Sequence, residues 1–376
     1  MPSQNRARAV PAYVVGVLSA ALVLVVSLLA RHVDGTATMF TGGYLHIGVA
    51  LGWVVCAGLI ALVVTRYLHI VANVDEGSGL AVGYDALPVL LLAAWVVTIA
   101  AVVTRHWLLA AIGATLSVYH LWLIVPRLLA VRPPRWAKRA PTIDIVVANV
   151  FIDNKTPQEA AGQLVTTVAD IVIVVESTAA FMAIFDDAGG SNTYPHRVSD
   201  PDDHSDYAVT VVCKHELGPR SRMTTIGPLR LAIADVAVNG VSTLVVALNP
   251  MATVDPGGHE TWKAQIEALK EFVVTISGPM IIAGDLNTTR YRPEFEELLE
   301  LGLTDAIDAL GKGLNPSFKL GADGVLGTVG AVARLDHALV NDYAFPRRVE
   351  NLEPCGSDHL PFKLQVAVRA APVVTP

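Results

Sequence analysis

The chain has 376 residues, 53% of them hydrophobic, with a mean hydropathy of +0.49, which excludes an ordinary soluble protein. Its three cysteines, Cys56, Cys213 and Cys355, have no paired spacing, so neither a zinc motif nor a disulfide framework is indicated. Charge divides the chain: residues 1–140 hold 10 Lys+Arg against 4 Asp+Glu (net +6), while the remainder holds 17 against 30 (net −13). The acidic part lacks the basic footprint that binding to a phosphate backbone needs, so there is no strong nucleic-acid signal.

Four apolar stretches precede residue 130, at 14–30, 44–64, 87–103 and 107–125. Each approaches the length of a helix that spans a bilayer, which predicts an all-α transmembrane region over 1–126. Arg6 and Arg8 precede the first stretch as they would in a signal peptide, but Leu28-Leu29-Ala30-Arg31 is a poor cleavage site. A Pro-containing basic linker, 127–141, is expected to be stiff and to lie at the membrane surface. Residues 142–369 are long enough for one sizeable core, and 370–376 read as a disordered tail.

Strands and helices then alternate. Apolar runs at 143–150 and 170–176 read as strands, separated by a helix that Thr156-Pro-Gln-Glu should open as a capping box, with Pro157 at the first helical position. Runs at 207–213, 229–238 and 242–249 continue the strand series, with Asn239-Gly240 as a hairpin turn. Trp262, Ile266, Leu269, Val273 and Ile276 fall at helical spacing. Further strands are expected at 279–287, 335–341 and 359–368, with a glycine-rich loop over 311–330. The expected product is a two-sheet α/β sandwich with helices outside.

Polar residues collect where the apolar runs end: Asn149, Glu176, Asp285, Asn287, Asp336, Asp358 and His359. Singly, each has a structural reading: Asn149 could close a turn, Glu176 could cap the following helix, Asp285 and Asn287 could form an Asx turn, and Asp336-His337 could sit in a solvated loop. Together, at strand ends, they read as a functional rim. Carboxylate and amide oxygens without cysteine or paired histidine favour a hard cation, Mg²⁺ or Mn²⁺. Such a site suits metal-assisted phosphoester hydrolysis, with an aspartate near water as general base and a carboxylate-held histidine beside the phosphate.

The segments "VVANVF", "DIVIVVES", "IIAGDLN", "ARLDHALV" and "GSDHLPF" resemble, in order and spacing, the endonuclease/exonuclease/phosphatase superfamily over about 142–368. That resemblance implies a four-layer αββα sandwich and Mg²⁺-dependent phosphoester cleavage. By it, Glu176, Asp358 and Asn149 belong to the metal site, and Asp285 positions or deprotonates water beside Asn287. Asp336 orients a histidine, and His359 contacts the scissile phosphate. Many members carry a histidine where this chain has Asn249; an amide can donate to a phosphate oxygen but is not a proton donor at neutral pH. Tyr194-Pro-His-Arg197 resembles a segment of bacterial membrane members, which makes His196 and Arg197 candidates for the substrate rim.

Spans ahead of such a domain are similar in architecture to the teicoplanin-resistance membrane proteins, which implies a lipid phosphate, lipid pyrophosphate or phospholipid head group as substrate. A nuclease of the same superfamily and a non-catalytic membrane scaffold are the alternatives. With four spans, a cytoplasmic domain puts Arg6, Arg8, Arg66, Arg127, Arg132, Arg135, Lys138 and Arg139 inside and leaves only Arg31 and Arg105 outside. The positive-inside rule therefore favours the cytoplasmic face, whereas the resemblance favours the outer one.

Overall fold

The computed structural model describes residues 43–72, 78–200, 205–319 and 331–372. The expected span at 14–30, part of the glycine-rich loop (320–330) and the end of the tail (373–376) lie outside the described residues. The chain divides into two compact units, residues 1–126 and 127–376.

The described part of the first unit is helical: α1 (Gly43–Ala72), α2 (Ser78–Asp85), α3 (Leu87–Leu90), α4 (Leu92–Val103) and α5 (Trp107–Leu128), whose last turn enters the second unit. Two segments, Ile47–Val71 and Trp107–Leu128, are long and apolar enough to cross a membrane. The stretch expected at 87–103 is one arm of a pair, Gly79–Asp85 and Leu87–Val103, bent by 71°. Pro88 stands at the start of the second arm, where its missing N–H and fixed φ break the helical ladder. Close packing comes from small residues: a Cβ on Gly113 would lie 2.5 Å from Thr98 Oγ1 and 3.3 Å from Ala94 O.

The second unit is a four-layer sandwich. One sheet has the order β13-β14-β1-β2-β4-β3, from Ala344–Asn351, Phe362–Val368, Thr142–Asn149, Ile171–Val175, Val209–Cys213 and His196–Val198. The other has the order β5-β6-β7-β8-β12-β9, from Arg222–Ile226, Leu229–Val238, Val241–Leu248, Met280–Asp285, Asp336–Val340 and Thr304–Asp305. Strand period two sorts the side chains. Ile143, Ile145 and Val147 meet Ala234, Val236, Val245 and Ile281 between the sheets, while Val146, Ala148, Val172 and Val174 face outward. Helices α6 (Pro157–Thr166) and α7 (Ala179–Asp187) cover that outer face. On the other sheet, α9 (Gly258–Val273) and α10 (Pro293–Glu300) cover Leu231, Leu244, Val246 and Leu248 with Trp262, Ile266, Leu269 and Phe295. A 3₁₀ turn (Arg135–Lys138), the short helices α8 (Gly190–Thr193) and α11 (Ala306–Ala309) and the hairpin β10 (Phe318–Lys319) and β11 (Ala331–Ala333) complete the described elements.

Three local expectations need correction. Thr156 makes no side-chain cap to α6; its hydroxyl donates instead to Cys355 O at 3.1 Å, so it ties two loops together. The last strand begins at Phe362, after Pro361, which leaves Asp358 and His359 in the turn before it. Strand β13, unexpected from the sequence, pairs with β14 along its length despite Pro346, as an edge strand permits.

Candidate active site

Two parallel pairs aim their carboxyl ends at one place. β1 and β2 run together to Asn149 opposite Val175, and β7 and β8 run together to Leu248 opposite Gly284. Residues just past such ends occupy the crevice where open α/β sheets present ligand groups. Two antiparallel partners begin at the same rim: Asp336 pairs directly with Asp285, and Phe362 pairs with Val147. Gly284 explains how closely the strands approach here. Its φ is +151°, and a Cβ would lie 2.0 Å from Leu248 O.

The polar groups form one network. Asn149 Nδ2 donates to Glu176 Oε1 at 2.8 Å and to Asp285 Oδ2 at 3.1 Å, and Ile152 N–H donates to Glu176 Oε2 at 2.7 Å. Asn287 N–H donates to Asp285 Oδ1 at 2.8 Å, while Asn287 Nδ2 donates to Asn249 Oδ1 at 3.2 Å. Asn249 is anchored in turn through Nδ2 to Asp206 O at 2.9 Å. His359 Nδ1 lies 2.7 Å from Asp336 Oδ2, and its Nε2 lies 3.6 Å from Asp285 Oδ2. Glu176 and Asn287 have φ of +59° and +51°, uncommon conformations for residues with a Cβ and a form of local strain found at functional sites.

Burial sets the electrostatics. It pushes the Glu176 carboxyl up to about 7, against the hydrogen bonds from Asn149 and Ile152. It raises Asp285 to about 6, with His359 opposing and Asp336 adding to the rise. At Asp336 burial also acts upward, but the charge and hydrogen bond of His359 win and hold the carboxyl below its usual range. At His359 burial acts downward, yet Asp336 and Asp285 together raise the imidazole to about 10. Asp358 is raised by burial.

Asn149, Glu176, Asn249, Asp285, Asn287, Asp336 and His359 are thus joined, with Asp358 beside His359. His196 and Arg197 are not part of this group. Strand β3 pairs His196 with Cys213, which stands opposite Ile171 at the start of β2, whereas Glu176 follows its end. Arg197 is held by Asp186 of α7, Nη2 to Oδ1 at 2.5 Å. The antiparallel register of β3 carries both residues to the far end of the sheet, so the rim expectation is corrected.

Residues without an assigned role complete the corner. Ser357 Oγ donates to Asn149 O at 2.8 Å and accepts from His359 N–H at 3.0 Å, which couples the first strand to the histidine turn. Ser317 Oγ accepts the N–H groups of Leu335 and Asp336, each at 3.1 Å. The Phe318 ring stands 5.0 Å from the His359 imidazole. Ser357 lies inside the "GSDH" segment, where its place two residues before the histidine is a local turn signal; Ser317 and Phe318 have no such local mark.

A hard cation fits this donor set. Glu176 is a half-buried carboxylate whose hydrogen bonds come from neutral donors, an environment that a divalent ion would relieve. Asp336 Oδ1 and Asp358 Oδ1 are buried acceptors with no hydrogen-bond donor among the described residues. Asp285, Asp336 and His359 also lie close enough to surround an ion. His359, however, already faces a carboxylate with each ring nitrogen, so it reads better as a charged donor than as a ligand.

Solved structures with similar folds include a humanized TDP2 from D. rerio, 16% identical, covering 60% of this chain and 99% of that chain with a TM-score of 0.50. An endonuclease/exonuclease/phosphatase protein from Beutenbergia cavernae is 14% identical, covering 62% and 73% respectively, with a TM-score of 0.47. A sphingomyelinase C from Streptomyces griseocarneus is 16% identical, covering 61% and 100%, with a TM-score of 0.44. At 16% identity the likeness to TDP2 concerns the fold alone. No curated protein matches the chain. The sequence profile of the Endonuclease/Exonuclease/phosphatase family matches residues 146–359, more than half of the chain and all of the site network, and the chain belongs to that family.

Proposed function

We propose that the protein is a multi-pass membrane-anchored, divalent-metal-dependent phosphoester hydrolase acting on a lipid phosphate, lipid pyrophosphate or phospholipid head group. The observation that carries the reading is the buried Asp285–His359–Asp336 relay joined through Asn149 to Glu176. Members of the family hydrolyse phosphoesters with a divalent ion, and this chain has the groups for that chemistry. Glu176, Asp358 and Asn149 would hold Mg²⁺ or Mn²⁺, and the bound ion supplies charge neutralisation at phosphate oxygens and the leaving oxygen.

The chain's own residues divide the remaining work. Asp336 fixes His359 with Nδ1 toward its carboxylate, leaving Nε2–H directed at the Asp285 side of the site. There the imidazolium donates to developing negative charge. Asp285, held by Asn149 and Asn287, is the acceptor for the proton of attacking water. Asn249 keeps one amide hydrogen for a phosphate oxygen in place of an acid, and Asn287, whose amide donates to Asn249 Oδ1 and Pro250 O, holds it in position. Two apolar helices and the acidic second unit favour a substrate at the bilayer over nucleic acid. The charge distribution favours a cytoplasmic domain.

The test is hydrolysis by the full chain across lipid pyrophosphate, sphingomyelin, phosphoinositide and single-stranded DNA substrates, with Mg²⁺, Mn²⁺ or chelator. A lipid phosphoester should be cleaved only with metal, and Asp285→Asn should lower the rate about a thousandfold. Activity confined to DNA would overturn the substrate class. Equal rates in wild type and variant would overturn the assignment of Asp285.

A further inference from the structure

The second unit is acidic overall, yet one edge of it is basic. Arg132, Arg135, Lys138 and Arg139 are exposed on the segment that follows α5, and Arg347, Arg348 and Arg369 are exposed on β13 and just past β14. Segments 129–140 and 341–350 together with residue 369 hold these seven cations and only two acids, Asp342 and Glu350, and Glu350 is paired with Arg348 at 2.7 Å. The cations are gathered by specific contacts. Residues 135–138 form a 3₁₀ turn packed on β14. A β-bulge between Pro346 and Arg348 makes Arg347 the extra residue, and its guanidinium donates to Ala137 O at 2.5 Å. Arg369 lies between two rings, 4.6 Å from Trp136 and 5.6 Å from Tyr343. The apolar helix α5 ends at Leu128, and six residues separate it from Arg135. That length reaches at most about 20 Å when extended.

We infer that the edge formed by the 3₁₀ turn at 135–138, the bulged strand β13 and Arg369 is a docking surface for anionic phospholipid head groups, orienting the catalytic unit on the bilayer. The inference rests on the anchored reading of α5, because chain continuity then holds this edge near the head groups. Lipid is favoured over nucleic acid because this edge is short and local, while the rest of the unit carries strong negative charge that a long polyanion would meet. Each Arg or Lys near an anionic leaflet adds attraction that salt screens.

The test uses the full chain with vesicles of neutral or partly anionic phospholipid, reading flotation in a density gradient and the acetylation rate of Lys138 against Lys263 on α9. The expected result is flotation with both vesicles and acetylation of Lys138 about fivefold slower on the anionic ones. Lys263 should be unchanged. High salt, or the variant Arg135→Gln/Arg139→Gln/Arg347→Gln, should abolish the difference. Flotation with anionic vesicles alone would support the surface and refute the anchor. Equal Lys138 rates on both vesicles would overturn the docking surface while leaving the anchor intact. Protection of Lys138 by duplex DNA on neutral vesicles, with none from anionic lipid, would also overturn it.

Discussion

Two aspartate–histidine pairs meet at strand β12, and they are alike in everything but their surroundings. Asp336 holds His359 at 2.7 Å, and Asp305 holds His337 at 2.8 Å; all four residues are buried. Strand alternation sends Asp336 and His337 to opposite faces. The second nitrogen of His337 faces backbone carbonyls of Thr288 and Arg334, at 3.1 and 3.2 Å, within a packed core beside Phe295. The second nitrogen of His359 faces another carboxylate, Asp285, at 3.6 Å. One pair therefore ends on backbone carbonyls and the other on a second buried carboxylate. Residue type and burial do not distinguish structure from chemistry here; the destination of the second nitrogen does.

The largest expected effect on folding belongs to the first pair. His337→Ala leaves the Asp305 carboxylate buried without its partner and should destabilise the protein by about 3 to 5 kcal/mol. Turnover of the molecules that remain folded should stay within a few-fold of wild type. Urea unfolding paired with turnover per folded molecule checks this, and a large loss of turnover at unchanged stability would erase the distinction between the pairs.

A smaller effect separates them by pH. In chelated protein, the folded His359 imidazole is raised to about 10, against about 6.5 when unfolded. A raised histidine stabilises fully below the unfolded value, and that contribution is lost as pH climbs through the folded value. The urea midpoint of chelated protein should therefore fall between about pH 6.5 and 10. The decline should be shallower in His359→Gln. Identical slopes would show that His359 is not held by Asp336 and Asp285.

Why some of this was legible in the sequence follows from burial. Strands β2 and β8 and the C-terminal halves of β1 and β7 are covered on both faces, so they read as unbroken apolar runs whose polar ends stand out. Asn149, Glu176 and Asp285 were visible for that reason. Strand β13 was hidden because Pro346, Arg347 and Arg348 interrupt its pattern, which only an edge position tolerates. His196 and Arg197 were misplaced because local sequence carries no register; only the pairing of β3 with β4 shows which end they reach. Ser317 and Phe318 went unassigned because their contacts with Asp336 and His359 span some 19 and 41 positions of sequence, beyond the range of any local pattern.

The decisive measurement is metal-dependent turnover of His359→Ala on the phosphoester substrate identified with the wild type, in protein shown by its unfolding midpoint to be folded. Removing the group that donates to developing charge should lower turnover by about a hundredfold or more. Turnover equal to wild type would show that His359, like His337, is a structural histidine and that the chemistry lies elsewhere.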